Sequence, residues 1–98
     1  MNVVLSQVIG LKTWNKGCFT MRKEFDTNII PHVGDSIGDS VWKDPYEHKV
    51  MEVIINYQEN KCLITLECIK FEHDDKNILK QWCEMVKLHG WSTIPEQI

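Results

Sequence analysis

Arginine is almost missing from this chain: Arg22 stands alone, and the remaining cationic residues are ten lysines spread along its length. With a formal net charge of −3, the chain has no cluster of cations of the kind that grips a phosphate backbone, which disfavours nucleic acid as a partner. Long apolar runs are missing too, since none approaches the roughly 18–20 residues of a membrane-spanning helix. The apolar stretches Val3–Leu5 and Val8–Leu11 are interrupted by Ser6 and Gln7 and follow no basic segment. They therefore make a poor secretion signal. A cytoplasmic protein without a membrane partner is the expectation.

Paired metal ligands are missing as well. Cys18, Cys62, Cys68 and Cys83 form no Cys-x-x-Cys or Cys-x-x-His pair, the local arrangement that sets two ligands beside one zinc ion. Cys62 and Cys68, read as residues of one strand, stand roughly 20 Å apart. Free core thiols in a reducing compartment are the simpler reading, and no cofactor is expected. A reactive thiolate needs a neighbouring base, and His32, His48, His73 and His89 lie in no local signature with a cysteine. Asp35, Asp39, Asp44 and Glu47 do not follow the alternate-residue ligand spacing of a calcium loop. Gly34 and Gly38 lead into no Gly-Lys-Ser/Thr cradle for phosphate. No catalytic residue can be named, and the expectation is that the chain is not an enzyme.

What is present is a globular composition, 43% hydrophobic and 26% charged over 98 residues, sized for a single domain. Residues 2–9 read as a β-strand, with Val3, Leu5 and Ile9 on one face and Val4, Ser6 and Val8 on the other. The turn Thr13-Trp14-Asn15-Lys16-Gly17 follows. Across residues 18–25, Phe19, Met21, Lys23 and Phe25 alternate with Cys18, Thr20, Arg22 and Glu24, the pattern of a half-buried strand hairpinned to the first. Pro31 places the segment 29–37 at an edge or corner, and Gly38–Pro45 reads as a surface loop.

Residues 46–57 and 61–71 read as two strands joined by the turn Gln58-Glu59-Asn60, paired antiparallel. Each is apolar on both faces, which predicts a central hairpin covered twice. A helix over about 75–89 closes the domain. Asp74 or Asp75 can cap it, Ile78, Leu79, Trp82, Cys83 and Val86 make its apolar stripe, Gly90 ends it, and Trp91 packs back. The domain is expected to span 1–91, with 92–98 a loose tail.

Trp14 and Trp42 fall in predicted turns beside Lys16 and Lys43. Such aromatics either fold back over an end of the sheet or, if exposed, anchor a partner. These four residues are the candidate interaction surface. Acidity favours a protein partner or self-association over nucleic acid.

The run Ile30-Pro31-His32-Val33-Gly34-Asp35-Ser36-Ile37, with Tyr46, Val50 and Val53 downstream, resembles a pattern in small uncharacterised bacterial and phage-encoded domains. The resemblance implies a small SH3-like or split β-barrel, of a kind several of which belong to phage particles or mobile elements. The loop Gly38–Pro45 is longer than that pattern would have, and the pattern, being a turn and a core, transfers no site residue. The fold expected is α+β: about five antiparallel strands, bent or partly closed, with one C-terminal amphipathic helix. The function expected is a non-catalytic protein-interaction or assembly module, and the alternative is a nucleic-acid-binding small barrel.

Overall fold

A computed structural model describes the backbone of residues 1–97 and the side chains of residues 1–94. The alternation along the first strand, β1 (Asn2–Gly10), reappears as burial: Val3, Leu5 and Ile9 enter the main core, and Gln7, of the same parity, is fully buried among them. β2 (Cys18–Asp26) returns antiparallel beside it in the register Leu5 to Lys23 and Ile9 to Phe19. It sends Phe19 and Met21 into the same core. Short β3 (Ser36–Gly38) pairs antiparallel with β4 (Glu47–Asn56), and β4 pairs antiparallel with β5 (Lys61–Leu66). After a break at Glu67 and Cys68 comes β6 (Ile69–Lys70), then the helix α1 (Lys76–Leu88) and a last strand, β7 (Ser92–Gln97).

Among the described residues seven strands form one sheet in the order β3-β4-β5-β1-β2-β7, with β6 continuing the line of β5 along β1. The path runs from one edge to the other without closing. It is mostly antiparallel, but β1 lies parallel to β5 and β6, where about five strands, all antiparallel, were expected. A pairing between residues about sixty positions apart leaves no local pattern to read.

α1 begins at Asp75, whose carboxylate accepts the Asn77 N–H at 2.9 Å, satisfying one of the helix's unpaired donors. Leu79, Cys83 and Val86 are its buried stripe. At its end Gly90 takes φ 87°, a conformation that glycine adopts without side-chain strain. The Trp91 N–H then returns to the Val86 carbonyl at 3.2 Å, and the Trp91 ring is buried.

Further expectations need correction. Residues 92–97 are no loose tail: they pair with β2 in the register Met21 to Thr93 and Arg22 to Ser92, using the side of β2 left open by β1. Residue 98 lies outside the described residues. The β4–β5 hairpin is not covered on both faces. The core cluster with α1 occupies one face only, and Ile54 and Leu63, register partners on the other face, are 49% and 40% exposed. Among the described residues α1 is the one α-helix, and its buried stripe joins the core cluster on the inner face, so no second layer covers the outer one. Finally, Gly38 belongs to β3, and 39–45 is a loop whose middle turns inward, burying Val41 and Trp42. Of the thiols read as core, Cys62 and Cys83 are buried, Cys18 is half-buried, and Cys68 is exposed at the break between β5 and β6.

Candidate functional site

The loop 39–46 is held at its start and its middle by polar groups that apolar patterning does not reveal. Asp39 accepts Lys23 Nζ at 2.9 Å, the Val41 N–H at 3.0 Å and Trp91 Nε1 at 3.1 Å. Burial pushes this carboxyl upward, but the hydrogen bonds from Lys23, Val41 and Trp91, with the charge of Lys23, outweigh it and hold Asp39 below its ordinary range. Lys23 also donates to the His89 carbonyl at 2.9 Å, tying β2 to the end of α1. Deeper in, Trp42 Nε1 donates to Gln7 Oε1 at 3.0 Å, and Gln7 Nε2 donates to the Glu67 carbonyl at 2.7 Å. One buried amide thus joins β1, the break after β5, and the loop. A polar residue of the same parity as Val3, Leu5 and Ile9 was the sequence signal for it.

Between this loop and α1 lies a cleft of about 530 Å³, within the range of small-ligand sites. Trp42, Pro45, Ile69, Trp82 and Met85 form its apolar walls, and Lys43, Asp44, His48 and His89 also line it. His48 stacks edge-on against Trp42, with centroids 4.7 Å apart, and its Nδ1 lies 3.1 Å from Glu67 Oε1. The Lys49 N–H, opposed by slight burial and assisted by His48, holds Glu67 below its usual range. Glu67 is then an ionised acceptor, which assigns the Nδ1 hydrogen to His48. His89 Nδ1 lies 3.0 Å from Ser40 Oγ, a hydroxyl–imidazole pair 49 positions apart in sequence. A nucleophile of this kind needs a third group to orient the imidazole, and among the described residues no acid bonds the other ring nitrogen. Nor, among them, do three or more His, Cys, Asp or Glu gather where a metal ion could sit.

A second feature lies farther along β4. The Asn2 N–H donates to the Asn60 carbonyl at 3.0 Å. In a parallel ladder this turns the main-chain groups of Asn60, Cys62 and Ile64 toward β1, and those of Lys61, Leu63 and Thr65 toward β4. Their register partners Asn56, Ile54 and Glu52 therefore face β5, and Val53 and Ile55 direct N–H and C=O outward. Val50 uses the same outer side to bond Asp35 and Gly34, at 2.8 and 2.9 Å. A bulge at Met51 separates that sheltered stretch from the rest. From Met51 to Asn56, among the described residues, no strand pairs with the outer edge of β4. Met51, Ile54, Ile55, Tyr57 and Leu63 are all exposed around it.

The four candidate residues are not brought onto one surface. Trp42 is 4% exposed and belongs to the core, so it folds back rather than standing out. Trp14 is half-buried, its ring seated so closely on Gly10 that a Cβ there would collide with it. Lys16 pairs with Asp74 at 3.7 Å, and Asp74 also accepts the Thr13 N–H and hydroxyl. Lys43 is exposed at the cleft. Among the described residues no helix is long and apolar enough to cross a membrane. No protein-family model matches the chain, and comparison with curated proteins and with solved structures likewise returns no match.

Proposed function

We propose that the chain is a non-catalytic protein-interaction or assembly module that works by strand addition at the outer edge of β4. The observation that carries this reading is the edge from Met51 to Asn56, unpaired among the described residues, with exposed apolar side chains on both sides of it. Exposed edges in folded proteins are usually blunted by lysine, proline or an overlying segment. Met51-Glu52-Val53-Ile54-Ile55-Asn56 contains neither lysine nor proline, whereas the strand at the opposite edge, β7, contains Pro95. An edge of this composition supplies what strand addition uses: main-chain donors and acceptors for affinity, and alternating side chains for specificity. The lysine-flanked tryptophans that motivated a nucleic-acid reading lend it no support here, with Trp42 buried and Lys16 paired to Asp74.

The test is selection from a displayed library of extended peptides, run in parallel on the native chain and on Ile55→Pro. That substitution removes an outward N–H without touching the ladder to β5, a position where proline is tolerated. Peptides of alternating apolar pattern that bind the native chain and lose the variant are expected. Failure to enrich any such peptide, or enrichment indifferent to the variant, would overturn the reading.

A further inference from the structure

We infer that the strand received by this edge is β4 of a second copy of the same chain, the two running antiparallel about a twofold axis through Ile54. This rests on the strand-addition reading and specifies its partner. Identical antiparallel strands related by a twofold axis must set opposite each other residues that share a face, so only a few registers exist. With the axis at Ile54, Val53 lies opposite Ile55 of the second copy, and both carry outward main-chain groups. Each therefore donates to and accepts from the other, and the symmetry repeats the exchange on the far side of the axis.

Side chains agree with this register. On the outer face Ile54 meets its own copy, and since Leu63 is its register partner within each chain, a continuous apolar row Leu63–Ile54–Ile54–Leu63 crosses the interface. Glu52 falls opposite Asn56 of the second copy, so no like charges face each other. The β5 partner of Asn56 is Lys61, which places a lysine of one copy two strand spacings, roughly 10 Å, from Glu52 of the other. Two long side chains can close that gap, and the pair occurs twice per dimer. Moving the axis to Ile55 sets Ile54 against Asn56 and draws the turn residue Tyr57 into the ladder. Moving it to Val53 runs the partner strand into the bulge at Met51. Only the axis at Ile54 matches apolar to apolar and leaves the carboxylate facing a neutral amide with a cation behind it.

Ile54 and its copy then form a non-hydrogen-bonded pair with Cα atoms about 4.5 Å apart, inside the range a disulfide spans. Val53 and its own copy are offset by two residues, roughly 8 Å, outside that range. In a Cys68→Ser background, which removes the exposed native thiol, mild oxidation of Ile54→Cys is expected to give a covalent dimer, and Val53→Cys is not. Size-exclusion chromatography with light scattering should show a concentration-dependent dimer for the native chain and a monomer for Ile55→Pro. Because a proline can fail for other reasons, Glu52→Lys supplies a milder arm: dimerisation should weaken roughly three- to tenfold and recover in Glu52→Lys/Lys61→Glu. Cross-linking at Val53→Cys but not Ile54→Cys would overturn the register. A native chain that stays monomeric at about 100 μM, with no Ile54 cross-link, would overturn self-pairing. Peptides sensitive to Ile55→Pro in the display experiment would then still uphold strand addition to another protein.

Discussion

The buried amide of Gln7 offers the sharpest test of how this core is held together. Gln7→Met keeps the length and volume of the side chain, so the cavity term is small. It removes the acceptor for Trp42 Nε1 and the donor to the Glu67 carbonyl. An unpaired indole N–H in a dry core costs about 1–3 kcal/mol, and an under-satisfied carbonyl adds to that. The expected loss is about 2–4 kcal/mol, a large part of the roughly 5–15 kcal/mol available to a domain of this length. Trp42→Phe removes the orphaned donor at the expense of packing and on its own should lose about 1–3 kcal/mol. If the two residues are joined as described, the double variant will be more stable than the sum of the singles implies, by about 1–2 kcal/mol. Urea unfolding followed by both circular dichroism and fluorescence measures each corner of the cycle and checks that the transitions coincide. Additivity to within about 0.5 kcal/mol would refute the linkage.

Three further outcomes are expected. Asp39 titrates below its ordinary value of 3.8 in the folded chain, so its contribution is present above that value and is lost as pH falls through the lower, folded pKa. Asp39→Asn should therefore destabilise by about 1–3 kcal/mol near neutrality. The gap to the native chain should narrow below about pH 4, and a gap independent of pH in parallel melts would contradict this. Gly10→Ala should unseat the Trp14 ring and cost about 1–3 kcal/mol. The Trp14 indole resonance should move most in a ¹H–¹⁵N spectrum, and an unmoved resonance would count against the contact. Asp75→Ala should cost about 1 kcal/mol through loss of the helix cap, read as a lowered Tm, while Asp74→Ala should leave the first turn of α1 intact by amide exchange.

Local pattern was legible and long-range pairing was not. The alternation from Cys18 to Phe25, the turn Gln58-Glu59-Asn60, and the stripe Leu79, Cys83, Val86 each arise from neighbours within a few residues, and each corresponds to an element in place. The parallel seam of β1 with β5 joins Leu5 to Ile64, and nothing in either segment announces the other. β7 was obscured by Pro95, which reads as a strand breaker but is tolerated at the outer edge of a sheet. The loop formers Lys43, Asp44 and Pro45 beside Trp42 predict a turn there. The partner that satisfies its buried indole N–H, Gln7, is thirty-five positions away. The open edge of β4 had a readable sign in the absence of lysine and proline from residues 51–56, but its meaning required knowing that β3 stops short.

The parallel seam also governs the order in which this domain can assemble. Each hairpin, β1 with β2 and β4 with β5, closes a loop of only a few residues and can form in microseconds. Neither can reach the final arrangement until Asn2–Ser6 and Lys61–Thr65 zip together, a closure spanning more than half the chain. Topologies dominated by such distant joins fold in milliseconds to seconds. Truncating Leu5 or Ile64 to alanine should accordingly slow refolding, whereas truncating Val86 in the helix should mainly hasten unfolding. Stopped-flow chevrons with the opposite pattern would place the rate-limiting step elsewhere. During that interval the edge of β5 that β1 finally covers stands open to water and to any neighbouring chain.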